Sequence, residues 1–444
     1  MRKSEECEEF LKFDASNGFI SFPVLLIFRS VMERKIIFVE ISFVRWYLLV
    51  FTIVGSVSLS AQSNSVESIL KSEPYWEMRG GLDHAYWKFE KEEKVRVAFL
   101  GGSITHNSGW RDSVMQYLER RFPLTAFEFI SAGIPSMGTT PAAFRLERDV
   151  LADGPIDLLF EEAAVNDATN GRSIEEQIRG MEGIVRHVLY ADPTTDIVIM
   201  HFVDPDKMED YRKGRLPTVI ENHEKVADLY NIPTIHLARE VTDRIDAGEF
   251  TWEKDFIDLH PSPFGQGVYA RSIIGFLDKA WRIAEEGRQP KPREELPPAL
   301  DPHSYDAGLL VEVEPEMEKT GWDYVNSWSP EDGAGTRQNY TEVPMLIGGA
   351  PGKTLKFTFS GRAVGIAVAA GPDAGVLRYR IDGGSWRTQN LFTRWSARLH
   401  LPWYYTLASG LEEDEHQLEI ELSSEHHPES TGTVCRIRYF YVNR

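Results

Sequence analysis

Residues 95–105, VRVAFLGGSIT, decide how this chain is read. An apolar run rich in β-branched and aromatic residues ends in two glycines, and Ser103 follows at once. That pattern predicts a buried strand feeding a tight turn. Gly101 and Gly102 lack a Cβ, so the backbone can bend sharply there and a ligand can come close. A helix is predicted over 109–122, just beyond the turn. In an open α/β sheet, ligands bind outside the carboxyl ends of the strands. Ser103 is therefore the candidate nucleophile. Taken alone, a Gly-Gly-Ser turn is more often a plain structural turn.

Three further segments change that weighing. Residues 157–167, DLLFEEAAVND, form a second strand-like run that ends in Asn166 and Asp167. Residues 127–140, FEFISAGIPSMGTT, read as a short strand running into a glycine-bearing loop. Residues 255–267, DFIDLHPSPFGQG, place His260 after two acids and before a Pro/Ser/Pro/Gly turn where a helix starts. Strands are predicted at 95–100, 127–131, 157–164, 196–203 and 233–237. Helices are predicted at 109–122, 173–190, 217–230 and 264–286. This alternation implies a parallel sheet with helices on both faces.

The four segments, in this order, resemble the SGNH (GDSL-like) hydrolases over roughly residues 90–287. The resemblance implies a three-layer α/β/α sandwich with a parallel sheet, of SGNH or flavodoxin-like type. It also implies acyl transfer through Ser103, His260 and an acid, with no cofactor and no metal. A serine hydroxyl attacks slowly unless a base takes its proton, and His260 supplies that base. An adjacent carboxylate fixes the tautomer of the imidazole. Charge then develops on the carbonyl oxygen, where each preorganised donor contributes about 3–4 kcal/mol. By the family pattern those donors are the Ser103 N–H, an N–H of the loop around Ser136 and Gly138, and the Asn166 amide.

The chain departs from that pattern in three places. The family's acid position, three residues before the histidine, holds Ile257. Asp258 and Asp255 flank it; Asp258 shares the histidine's turn and is favoured, with Asp255 the runner-up. The usual oxyanion glycine falls on Ser136, which leaves Gly138 as an alternative donor. The glycine two before the asparagine is Ala164.

Each block also has a plainer reading. Asn166-Asp167 is a common turn or cap pair. Asp258–Pro261 could be only the cap of the following helix. Glu161 and Glu162 lie in an apolar run, where a charge is expensive unless paired. We expect one of them, Glu162 rather than Glu161, to pair with Arg111 or Arg145, and Arg145 is a secondary candidate for substrate contact. The two glutamates point to opposite faces of a strand, so they cannot flank one glycosidic bond.

The chain has 444 residues, 42% of them hydrophobic, which favours two or more domains. Its formal net charge is -20, and no basic stripe with interleaved aromatics argues for nucleic acid as a partner. Residues 46–61, WYLLVFTIVGSVSLSA, read as a secretory apolar region with a cleavage site before Gln62. The run is short for a membrane span, so no stable insertion is expected after cleavage. Met32 makes a better leader start than Met1. Removal of Cys7 with the leader leaves Cys435 alone, with no disulfide framework and no cysteine metal cluster. A secreted or periplasmic location in a bacterial envelope is expected.

Residues 288–302, RQPKPREELPPALDP, read as a linker, after which the pattern changes to short alternating strands at 355–359, 363–369, 376–381, 416–422 and 436–442. These predict an antiparallel β-sandwich. Asp382-Gly383 marks a hairpin. The expected organisation is a leader at 1–61, a lead-in at 62–90, a hydrolase domain at 91–287, a linker at 288–302 and a β-sandwich at 303–444. Aromatics at 391–405 suggest either a sugar-stacking surface or a packed interface. The resulting expectation is a serine esterase removing acyl groups, above all O-acetyl, from an acylated carbohydrate. Alternatives are a lipid or aryl esterase of the same mechanism, or a non-catalytic carbohydrate-binding protein on an esterase scaffold.

Overall fold

Strand β2 (Lys94–Gly101) sits inside a six-stranded sheet between β3 (Ala126–Gly133) and β4 (Leu158–Glu161). The order is β1-β6-β5-β4-β2-β3, with β1 Trp76–Glu77, β5 Asp196–Met200 and β6 Thr234–Ile235. All neighbours are parallel except β1, which closes the β6 edge antiparallel. Without β1, this is the doubly wound flavodoxin-like order, whose binding crevice lies where the strand order reverses. Here the reversal falls between β2 and β4. This computed structural model describes residues 70–444, apart from 92–93, 291–292 and 294. The expected leader, and the lead-in up to residue 69, lie outside the described residues.

Alternation along β2 explains the layers. Val95, Val97 and Phe99 point to one face, against Trp110, Val114 and Leu118 of helix Trp110–Arg121 and Phe276 and Leu277 of helix Pro263–Glu285. Ala98 and Leu100 point to the other, with Phe144 of helix Thr139–Leu146 and Ile184, Val185 and Val188 of helix Ile174–Ala191. The fold is thus the expected three-layer α/β/α sandwich. The strand expected at 157–164 stops at Glu161, because helix Ala164–Thr169 begins within the same apolar run.

The C-terminal region is an antiparallel sandwich. One sheet has seven strands, in the order β10 (Gly335–Thr336), β16 (Leu399–Ser409), β13 (Ala363–Ala370), β18 (Cys435–Asn443), β11 (Val343–Gly348) and β9 (Trp322–Trp328), with β7 (Gly308–Glu312) also on β18. The other has five: β15 (Arg387–Asn390), β14 (Gly375–Ile381), β17 (Glu415–His426), β12 (Thr354–Ser360) and β8 (Lys319–Thr320). Within these two sheets, β10–β16 is the one parallel ladder among the described residues. Asp382 and Gly383 both have positive φ, 53° and 68°, as the tight turn between β14 and β15 requires.

Strand β13 is buried along its whole length because both its faces are covered. Val364, Ile366 and Val368 fill the sandwich interior, whereas Ala363, Ala367 and Ala369 face the helices of the α/β domain. Phe144 packs against Tyr441 across this contact, the two rings tilted and their centroids 4.4 Å apart. The described residues consequently form one compact unit. The proline-rich stretch at 288–302 is pinned along the way: Arg288 pairs with Asp83 at 2.6 Å and Arg293 with Asp196 at 3.1 Å.

Candidate active site

The strand register brings the site together. Gly101 lies level with Gly133, and Leu100 with Glu161, so β2, β3 and β4 end at one edge. The three segments after those ends hold Ser103, the 134–138 loop and Asn166. Ser103 opens the short helix Ser103–His106, where first-turn amides have no intrahelical acceptor. A Cβ on Gly102 would lie 1.9 Å from Asn166 Oδ1 and 3.3 Å from the Met137 carbonyl. Glycine at 102 is therefore what lets the asparagine and the loop close in beside the serine.

His260 arrives from the other side, on the loop between Phe256 and helix Pro263–Glu285. Ser262 caps that helix, accepting from the Gly265 N–H at 3.2 Å, so capping does not account for His260 or Asp258. The His260 Nε2 lies 2.7 Å from Ser103 Oγ. With Nε2 accepting the hydroxyl proton, the ring's proton belongs on Nδ1. Asp258 Oδ1 accepts the His260 main-chain N–H at 2.5 Å and stands 3.7 Å from Nδ1. Asp255 turns away and accepts from the Thr251 N–H at 2.7 Å and hydroxyl at 2.9 Å. Ile257, at φ 83° and ψ -62°, holds the strained conformation of a γ-turn that folds Asp258 back onto His260.

The loop donors sit in different settings. Ser136 has φ 70°, and its carbonyl accepts from Asn170 Nδ2 at 2.9 Å. Gly138 caps helix Thr139–Leu146, and a Cβ there would meet Asp167 Oδ1 at 2.0 Å. Asp167, fully buried, accepts from the Thr139 N–H at 2.9 Å, the Thr139 hydroxyl at 2.7 Å and His223 Nε2 at 3.1 Å. This anchoring of the loop was not read from the sequence. Its one signal was an acid beside Asn166 at the end of an apolar run.

The expected arginine partnership of Glu162 is not there. Glu162 Oε1 instead accepts from the Gly102 N–H and the Thr105 hydroxyl, both at 2.7 Å. Arg145 is fully buried, paired with Asp149 at 2.9 Å and donating to the Ala132 carbonyl at 2.7 Å, so it cannot contact substrate. Arg111 donates to the Thr105 carbonyl at 2.9 Å and pairs with Asp112. The reason is topological: β4 is an interior strand, and its carboxyl edge faces turn amides rather than surface cations. Burial raises the Glu161 carboxyl well above its ordinary range, with the neighbouring Glu162 and Asp167 adding to the effect.

A second cluster, His201, Glu224 and His236, brings one donor atom each within 4.8 Å. Glu224 is already taken, by His201 Nε2 at 2.6 Å and by Arg79 at 2.5 Å. With a guanidinium on the carboxylate, the set is a charge-balanced network rather than a ready cation site.

The β-sandwich reaches the same neighbourhood. Arg394 donates to the carbonyl of Thr169, at the end of the helix that carries Asn166, at 3.0 Å. It lies 4.1 Å over the partly exposed Trp395, which is 5.6 Å from Trp403. Tyr404 is buried at the domain interface, 5.4 Å from Tyr441.

Residues 99–268 match the GDSL-like Lipase/Acylhydrolase family. The match lies within the α/β domain, and the protein is a carboxylic ester hydrolase. No curated protein matches the chain by sequence. Among solved structures, a two-domain esterase (CEX) active on acetylated mannans, co-crystallised with mannopentaose, superposes with a TM-score of 0.68 at 20% identity, covering 84% of this chain and 97% of that one. A second structure of that esterase gives 0.66 at 20% identity, covering 82% and 96%. At this identity the likeness is one of fold, and it spans both domains. Among the described residues, no helix is long and apolar enough to cross a membrane.

Proposed function

We propose that this protein is an exported serine esterase that removes acyl groups, above all O-acetyl, from a carbohydrate through a Ser–His–Asp acyl-enzyme mechanism. The observation that carries the reading is the 2.7 Å contact between Ser103 Oγ and His260 Nε2 at the carboxyl edge of the sheet. His260 takes the hydroxyl proton as Ser103 Oγ attacks the ester carbonyl. The oxyanion is met by the Ser103 N–H, the Asn166 amide and an N–H of the Ser136–Gly138 loop. His260 then returns the proton to the departing sugar oxygen, leaving an acyl group on Ser103. Water, deprotonated by His260, attacks that acyl group and releases the carboxylic acid. Asp258 faces Nδ1 and stabilises the imidazolium between these steps.

The carbohydrate assignment rests on the substrate of the two-domain esterase that shares this fold, acetylated mannans, and on the Trp395–Trp403 surface beside the Asn166 helix. Export rests on the apolar run at 46–61. The test is acetate release from a panel of acetylated polysaccharides, with Ser103→Ala as control. The reading expects release by the wild type and none above background by the variant. Rapid hydrolysis of long-chain acyl esters with no acetate from any polysaccharide would favour a lipid esterase.

A further inference from the structure

The nucleophile turn is held by a group that the mechanism above does not use. Glu162 follows β4 directly and is 1% exposed. Its Oε1 accepts two bonds at once, from the Gly102 N–H and the Thr105 hydroxyl, each 2.7 Å long. These donors bracket Ser103 in the chain. A Cβ on Gly101 would lie 2.4 Å from the same oxygen, so glycine at 101 is what lets the carboxyl reach the turn. Four residues further along the same segment comes Asn166, which packs on Gly102. One side chain thus ties the serine's turn on β2 to the asparagine's segment on β4.

We propose that Glu162 is the positioning residue for Ser103, fixing the Gly102–Thr105 turn so that the serine hydroxyl stays aligned with both His260 and Asn166. The inference rests on the reading of Ser103 as nucleophile. Helix Ser103–His106 has four residues, too few to hold its own shape. Without Glu162 the Gly102 N–H becomes a buried donor with no acceptor, and the turn must move to satisfy it. A shift of about 1 Å in a catalytic group costs on the order of 10²-fold in rate.

The charged and titratable groups facing Glu162 are acids and a phenol. Glu161 adjoins it on β4, Asp167 lies on helix Ala164–Thr169, and Tyr269 approaches from helix Pro263–Glu285. Burial, with Asp167 adding, lifts the Glu162 carboxyl to about 7 against the lowering effect of its bonds to the turn. Protonated or ionised, the carboxyl keeps an oxygen that accepts both bonds. Glutamine offers the same acceptor at every pH.

The experiment measures kcat and KM on p-nitrophenyl acetate, together with the rate of fluorophosphonate labelling, for Glu162→Gln, Glu162→Ala, Thr105→Val and Ser103→Ala. Glu162→Ala is expected to lose about 10–100-fold in kcat and labelling rate with KM little changed. Thr105→Val, which removes one bond, should lose less in the same two quantities. Glu162→Gln, which keeps the accepting oxygen, should stay within about threefold of wild type in the same two quantities. A folded Glu162→Ala that labels at the wild-type rate overturns the proposal, as does a Glu162→Gln as impaired as the alanine variant. If Glu162→Ala does not fold, an unimpaired Thr105→Val overturns it instead. Turnover and labelling that survive in Ser103→Ala would overturn the nucleophile assignment itself, an outcome separable from the others because Glu162 is intact there.

Discussion

Asp258 bonds the main chain of His260 more closely than its ring: Oδ1 accepts the amide proton at 2.5 Å and stands 3.7 Å from Nδ1. The carboxylate thus fixes the loop that presents the imidazole and supplies charge to it across a gap longer than a hydrogen bond. Both side chains are about half exposed, so water screens that charge. Asp258→Asn is expected to lower kcat by about 10–100-fold, less than the loss of a fully buried triad acid. Asp255→Asn should be nearly silent in kcat, because Asp255 is bound to Thr251. Steady-state kinetics of the two variants side by side would reverse the assignment if the losses were exchanged.

Asn166 and Asp167 are neighbours with different tasks. Asn166→Ala should reduce kcat by roughly 10²–10³ with little change in KM or thermal stability, as expected when an oxyanion donor is removed. Asp167→Ala should instead destabilise the fold by at least about 2 kcal/mol, because the Thr139 N–H and His223 lose their buried acceptor. Denaturant melts alongside kinetics separate the two; a purely structural effect of Asn166→Ala would remove it from the oxyanion site.

Gly183 tests the packing of the β-sandwich on the α/β domain. In a helix interior, Gly→Ala ordinarily stabilises by about 1 kcal/mol. Here the new Cβ would lie 2.6 Å from the Tyr305 carbonyl, main-chain atoms that cannot swing aside. Gly183→Ala should therefore destabilise by about 1–3 kcal/mol and expose residues 288–302 to protease. A melt shifted upward would contradict the interface described.

Glu224 sets part of the acid sensitivity. Burial alone would raise its carboxyl, but the His201 bond and the positive charge of Arg79 hold it well below the ordinary range. A depressed carboxyl contributes stability that is present above its unfolded value, near 4.5, and is lost as pH falls through the folded value. Glu224→Gln should be less stable than wild type at pH 7, and its stability should depend less on pH below 4.5. Urea midpoints from pH 7 to 3 check this; parallel curves for the two proteins would assign the acid limb elsewhere.

The sequence made legible what a local pattern carries. The apolar run ending in Gly101-Gly102-Ser103 announced both strand and turn, and His260 stood out between acids and a proline-bounded helix start. Helix Thr139–Leu146 was not foreseen, because Thr139, Thr140 and Pro141 disguise its first turn, which Asp167 anchors from a distant segment. Helix Pro205–Arg212 is too polar to show a clear apolar face. Glu162 was misread because its partners are a main-chain N–H and a hydroxyl, and only the register of β2 against β4 brings them together. Among the aromatics of 391–405, sequence offered a stacking surface or an interface. Tyr404 is buried in the interface, whereas Trp395 and Trp403 stay partly open.

Acetate release from an acetylated mannan by wild type and by Ser103→Ala, each checked for folding, tests the Ser103 acyl-enzyme mechanism most directly. Wild type should release acetate steadily and the variant should lose at least about 10³-fold, with His260→Ala equally impaired and the double variant scarcely worse, since the two act as a unit. Near wild-type release from Ser103→Ala would contradict that mechanism.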